Sequence, residues 1–349
     1  MKILKRNKSV NIKGLKKLLV DIVKKILEGK AYEIPALFIW GPPGVGKSTI
    51  IKEVAKEYNL EVIDLRLAQI DPADLRGIPF PDKDTKRLVW WIPEFFPKDG
   101  KGFLFLDELN LADLSIQATA YQLVLDRRVG NYKLPDGWYV IAAGNRKEDA
   151  VNVFDMPDPL VSRFIHIEVE PDLDAWIEWA VKKGISEEII AYLKYKPENF
   201  INIKPNRVSI AYPCPRTWEF ANTMLKLTKD VEMIALAVGN PVAADFIAFL
   251  EVYRELPDIE KVLETGEINF PPREKTSIWW VISTALGLRP KNQRHIDNVA
   301  KILLEIRKNF VEYGSYILNL ILKDNEKGLM LMKSRFYKEL REAYFDSLL

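Results

Sequence analysis

The apolar positions of this chain follow two rhythms, and the change falls near residue 170. Before it, short unbroken apolar runs alternate with stretches whose apolar residues recur every three or four positions. The runs at 34–40, 60–65, 102–106, 138–143 and 165–169 predict strands. The stretches at 49–58 and 112–126 predict helices between them. Leu15, Leu18, Leu19, Ile22, Val23 and Ile26 predict an earlier amphipathic helix with its lysines turned to water. Such alternation implies an α/β layer built on a parallel sheet. From Pro171 the rhythm is helical throughout: 173–183, 187–193, a helix opening at Pro215 and Thr217, roughly 230–254, and two or three more before residue 349.

Two stretches interrupt these rhythms. Residues 66–97 are proline-rich and carry a charged segment at 82–87, so they predict an elaborated loop inserted between core elements. Such a loop is either functional or a passive surface excursion. Its aromatics, within 88–97, suit the core, a subunit contact or a surface patch, with core or contact the stronger reading. Residues 196–215 are polar and proline-punctuated, and 269–275 reads as a linker.

Composition narrows the function classes without choosing one. With 349 residues the chain has room for two or three cores. A net charge of +2 selects no partner by itself. The one cysteine, Cys214, has no internal partner and suits a reducing, cytoplasmic setting, and two histidines rule out a histidine-rich metal centre. No apolar run has the length of a membrane span.

The candidate chemistry sits where predicted strands end. Gly41, Pro42, Pro43, Gly44, Val45, Gly46, Lys47, Ser48 and Thr49 fit the phosphate-loop pattern G-x-x-x-x-G-K-[ST] between a strand and a helix. Glycines let backbone N–H groups approach phosphate oxygens, and the helix N-terminus favours negative charge. Lys47 reaches the β- and γ-phosphates of a nucleotide, and Ser48 can ligate Mg²⁺. Some 60 residues later, Asp107 and Glu108 close the strand at 102–106. Asp107 would hold Mg²⁺, and Glu108 would polarise the attacking water. Asn145 stands at the end of the next strand, where an amide can contact both the γ-phosphate and that water. His166 alternates with apolar neighbours and reads as structural.

In order, the phosphate loop, the acidic strand end, Asn145, Ser162-Arg163-Phe164 before a strand and Pro215-Arg216-Thr217 opening a helix resemble an AAA+ ATPase. The Leu106-Asp107-Glu108-Leu109-Asn110 form of the acidic motif and the insertion at 66–97 are similar to its MoxR-type branch. The resemblance covers roughly residues 30–250. It implies a P-loop core with a parallel five-stranded sheet over 1–170, an α-helical lid over 171–268 and a helical C-terminal extension over 269–349. It implies ATP and Mg²⁺ as ligands, with Asn145 as polar sensor. It makes Arg163 an arginine finger entering a neighbouring subunit's site, and Arg216 a second sensor carried by the lid. It further implies a homo-oligomeric, hexameric ring and a chaperone-like action on a protein client. A separate partner with a von Willebrand factor A domain would assist. A nucleic-acid motor or a restriction-type nucleotide hydrolase of related fold is the alternative, and Asp71, Asp74, Asp82 and Asp84 in the insertion disfavour a nucleic-acid funnel. Arg146, where that branch more often has proline, reads as a surface charge rather than a trans-acting residue. Arg127 and Arg128 could face a neighbour.

Overall fold

A computed structural model describes residues 9–146, 149, 154–203, 210–253 and 257–345. Internal contacts divide the chain into two units, one ending at Asp172 and the other beginning at Leu173.

The first unit starts with β1 (Ser9–Val10) and α1 (Ile12–Leu27). Asn11 caps α1, its side chain accepting from the Gly14 N–H at 2.9 Å. Leu15, Leu19, Ile22, Val23 and Ile26 are buried along one face of α1. Each contributes about 1.5–3 kcal/mol by leaving water. The alternation then runs β2 (Ala36–Trp40), α2 (Lys47–Glu57), β3 (Glu61–Arg66), α3 (Pro72–Arg76), β4 (Ile78–Asp82), β5 (Arg87–Trp91), β6 (Gly102–Asp107) and α4 (Leu114–Asp126). After α4 come β7 (Arg128–Val129), β8 (Tyr132–Lys133), β9 (Trp138–Gly144), α5 (Asp158–Val161) and β10 (Phe164–Val169).

The main sheet is parallel, in the order β1-β10-β2-β9-β6-β3. It has six strands, one more than the five expected. The extra strand is β1, whose two residues pair with Glu168 and Val169 at the sheet edge. Two residues carry no readable alternation, which is why the pattern did not announce it. Two apolar layers sandwich the sheet. One holds α1 and α2 with Leu37, Ile39, Phe103, Phe105 and Ile141. The other holds α4 with Phe38, Leu104, Leu106, Val140 and Ala142. Neighbouring residues of each strand thus enter opposite layers, and both faces are covered, so the strands read as continuous apolar runs.

The insertion at 66–97 is more ordered than a loop. It contains α3 and an antiparallel β4–β5 hairpin registered Ile78 to Trp91 and Phe80 to Val89. Asp82 ties the turn, accepting from the Asp84 N–H at 2.9 Å and the Thr85 hydroxyl at 2.8 Å. The expectation for its aromatics holds only in part. Phe96 is buried, stacking with Tyr132 at 4.7 Å, whereas Leu88 and Trp91 are 68% and 63% exposed. The two prolines of β4 explain the layout, since Pro79 and Pro81 cannot donate to a wider sheet.

The second unit is helical: α6 (Leu173–Lys183), α7 (Glu187–Tyr195), α8 (Pro215–Thr228), α9 (Ala235–Val238), α10 (Asn240–Tyr253) and α11 (Ile259–Thr265). Then follow α12 (Thr276–Leu288), α13 (Gln293–Ile306), α14 (Val311–Lys323), α15 (Asn325–Lys333) and α16 (Tyr337–Leu340). The helices expected at roughly 230–254 are α9 and α10, separated at Gly239, whose φ of +85° ends α9. After the linker there are five α-helices among the described residues, rather than two or three. Residues 204–209 of the polar stretch lie outside the described residues. Trp218, Tyr192 and Phe246 anchor one core, and Trp279 with Phe310 and Tyr313 anchors the other.

Candidate nucleotide-binding site

Three adjacent parallel strands deliver the candidate residues. In register, Trp40 of β2 lies beside Gly144 of β9, and Leu106 of β6 beside Ala142 of β9. The residues that follow each strand therefore emerge at one edge of the sheet, the carboxyl edge where α/β proteins bind ligands.

The phosphate loop leaves β2 and enters α2 at Lys47. Gly46 precedes the helix with φ +98°, a conformation that a side chain would strain. Lys47 is only 9% exposed. It donates to the carbonyls of Gly41 and Pro42 at 2.7 and 3.0 Å and to Asn145 Oδ1 at 3.2 Å. These bonds hold the charge across the mouth of the loop.

Ser48, the next residue of α2, donates its hydroxyl to Asp107 Oδ2 at 3.1 Å. Asp107 Oδ1 accepts the backbone N–H of Glu108 at 3.0 Å. Burial pushes the Asp107 carboxyl above the usual carboxylate range, with Asp64 adding to the effect and Ser48 and Lys47 opposing it. Glu108 has φ +58°, a left-handed backbone that non-glycine residues rarely adopt. The turn thus sends Asp107 and Glu108 in different directions from one strand end.

The structure therefore forms two hydrogen-bonded pairs, Lys47 with Asn145 and Ser48 with Asp107, on neighbouring residues of α2, with Glu108 bonded to Asp107 through its backbone. Arg163 is not among them. Its guanidinium donates to Pro159 O and to Ser162 Oγ and lies 4.3 Å over the Tyr121 ring. Arg216 is exposed on the first turn of α8, in the second unit.

Other charged residues have local duties. Arg146 is not a surface charge. It is 21% exposed and paired to Asp149 and Glu168, whose carboxylates raise its pKa. Arg127 donates to the carbonyls of Pro135 and Trp138 at 2.8 Å each and so braces the β7–β8 hairpin from inside. Arg128 is exposed. His166 is structural as expected: Nδ1 accepts from Trp40 Nε1 at 2.9 Å, and Nε2 donates to Val161 O at 2.8 Å.

Asn110 stands in the acidic motif with no role readable from the sequence. Asn110 is fully buried, and its amide bonds the backbone of Asn145 on both sides. Its place two positions after Glu108 was the available signal. Among the described residues, no cluster of three or more metal-ligating side chains occurs, and no helix is long and apolar enough to cross a membrane.

Replication factor C large subunit of Aeropyrum pernix is 45% identical over 56 residues, 16% of this chain and 12% of the relative. Replication factor C subunit 4 of Homo sapiens is 30% identical over 119 residues, 32% of each. The chain thus spans between 12% and 32% of these relatives. Among solved structures, the RuvB Holliday junction branch migration motor of Thermotoga maritima aligns with TM-score 0.40 and 17% identity, covering 73% of this chain and 74% of that one. NtrX from Brucella abortus in complex with ADP aligns with TM-score 0.38 and 16% identity, covering 89% and 68%. Residues 37–171 match the family described as "ATPase family associated with various cellular activities (AAA)".

Proposed function

We propose that the chain hydrolyses ATP at this site and works as a ring-forming AAA+ ATPase of MoxR type. The observation that carries the reading is the convergence of Lys47, Ser48, Asp107 and Asn145 at one sheet edge, with Glu108 one residue beyond. Lys47 would turn from the loop carbonyls to the β- and γ-phosphates, which its position across the loop mouth permits. Ser48 and Asp107 present two hard oxygen donors 3.1 Å apart, the donor chemistry that Mg²⁺ takes. When bound there, the metal would neutralise phosphate charge. Glu108 accepts the proton of a water that adds to the γ-phosphorus as the bond to ADP breaks, and Asn145 orients that water.

In this reading Arg163 completes the site of a neighbouring subunit, and Arg216, on a lid formed by 171–268, faces the γ-phosphate of its own. The client is a protein, engaged with help from a separate von Willebrand factor A domain partner. Support comes from the β4–β5 hairpin. It exposes Ile78, Leu88 and Trp91, and stacks Phe80 on Trp91 at 4.4 Å. A cavity of about 990 Å³ lies beneath it, lined by Ile70, Phe80, Trp91 and Phe95. The turn carries Asp82 and Asp84 beside Lys83, Lys86 and Arg87, a mixture unlike the basic funnels that track nucleic acid.

The replication factor C relatives favour a second reading, a nucleic-acid motor. Their likeness spans 16% and 32% of this chain. Phosphate release by the purified protein tests both readings. Mg²⁺-dependent hydrolysis that is lost in Lys47→Ala supports the site. Stimulation by DNA or RNA would favour the second reading.

A further inference from the structure

The buried amide of Asn110 is the strongest polar feature of the site that the scheme above leaves without a task. Asn110 follows Asp107 and Glu108 in the short turn Leu109–Leu111. Its Nδ2 donates to Asn145 O at 2.7 Å, and its Oδ1 accepts the Asn145 N–H at 3.3 Å. A primary amide that receives both backbone groups of one residue acts as an extra rung of sheet. Here the rung lies past the last registered pair, Leu106 with Ala142. Its own carbonyl accepts the N–H of Phe154 at 3.0 Å, so the same residue also holds the chain beyond Asn145.

Space for this arrangement comes from Gly144. A Cβ there would stand 2.3 Å from Asn110 Oδ1 and 2.8 Å from Phe38 Cζ. No other residue type fits without displacing the amide. The geometry requires Asn110 and Gly144 together, and both serve the backbone that sets the Asn145 side chain against Lys47.

We infer that Asn110 is a positioning residue: it locks the Asn145 backbone to the turn that carries Asp107 and Glu108, so that the polar sensor and the acidic pair are held as one unit. The inference rests on the reading of Asn145 as the group that orients the attacking water. Asn110 touches no substrate in this scheme. It fixes where Asn145 points, and a misplacement of about 1 Å in such a group costs on the order of 100-fold in rate. Asn110→Asp keeps the size and the acceptor but sets a second oxygen against the Asn145 carbonyl. Asn110→Ser replaces the two-pronged amide by a shorter hydroxyl that cannot bond both backbone groups, without adding charge.

The test is a double-mutant cycle read by steady-state phosphate release, with ATP affinity and thermal melting measured on each variant. We expect Asn110→Asp and Asn110→Ser to lower kcat by about 10-fold or more while KM and ATP affinity stay within about threefold. In an Asn145→Ala background neither substitution should slow hydrolysis further, because the group that Asn110 positions is already gone. A merely structural role would give losses that multiply with Asn145→Ala, and that result overturns the inference. So does kcat within twofold of wild type in both variants. Loss of ATP binding in both overturns it too, since Asn110 would then hold the fold rather than Asn145. If Asn145→Ala alone hydrolyses like the wild type, the reading of Asn145 fails first, and the inference falls with it by a distinguishable result.

Discussion

The Ser48 hydroxyl donates to the Asp107 carboxylate at 3.1 Å, joining the first turn of α2 to the end of β6 across 59 residues of sequence. Each partner comes from a different short motif, and neither motif alone places the other. The bond turns two patterns into one oxygen-lined site.

The buried Asp107 carboxyl gives a pH signature. Its folded pKa is raised above the ordinary 3.8, so the folded state binds the proton more tightly than the unfolded state. Stability therefore falls as pH rises through the window that begins near 3.8 and ends above the raised value. Asp107→Asn removes this penalty. We expect the ligand-free variant to melt at or above the wild type at pH 7, with the gap closing below pH 3.8, and to lose the added stability that Mg²⁺ with ATP gives the wild type. Melting curves across pH, with and without both ligands, check this.

Arg163 rests on its own chain, over Tyr121 and against Pro159 and Ser162. In the proposed ring it completes a neighbour's site, so its loss should be repaired by mixing. Lys47→Ala subunits alone and Arg163→Ala subunits alone should hydrolyse at least about 100-fold more slowly than wild type. Mixed rings should recover part of the rate, because some sites pair an intact loop with an intact arginine. No recovery in rings shown to mix contradicts the trans role.

The exposed hairpin face is separable from the nucleotide site. Replacing Ile78 and Trp91 by serine removes apolar surface that contacts water, so stability should change by no more than about 0.5 kcal/mol per site. Basal hydrolysis should stay within about twofold of the wild type. Capture or stimulation by a protein client should be lost, whereas a response to DNA that survives the change would point to the second reading.

Much of this was legible because parallel strands buried on both faces leave unbroken apolar runs. Phe103, Leu104, Phe105 and Leu106 announce β6 and hence the position of Asp107. The phosphate loop was legible for a related reason, since its glycines and lysine stand at fixed spacing. Other features depend on contacts distant in sequence. β1 is two residues long and exists only because Val169 and Glu168 pair with it. The hairpin at 78–91 hides behind Pro79 and Pro81, which read as loop. Arg146 looked like a surface charge although Asp149 stands three residues on, because its second partner, Glu168, lies 22 residues away. Asn110 and Asn145 are 35 residues apart, and no local pattern reports a bond of that kind.

The most direct measurement is phosphate release by Glu108→Gln beside ATP binding by the same variant. Glutamine keeps the shape at the left-handed turn after Asp107 but cannot accept a proton. The account expects ATP affinity within about threefold of wild type and turnover lower by about 10²–10⁴-fold. Hydrolysis at the wild-type rate in that variant would contradict it.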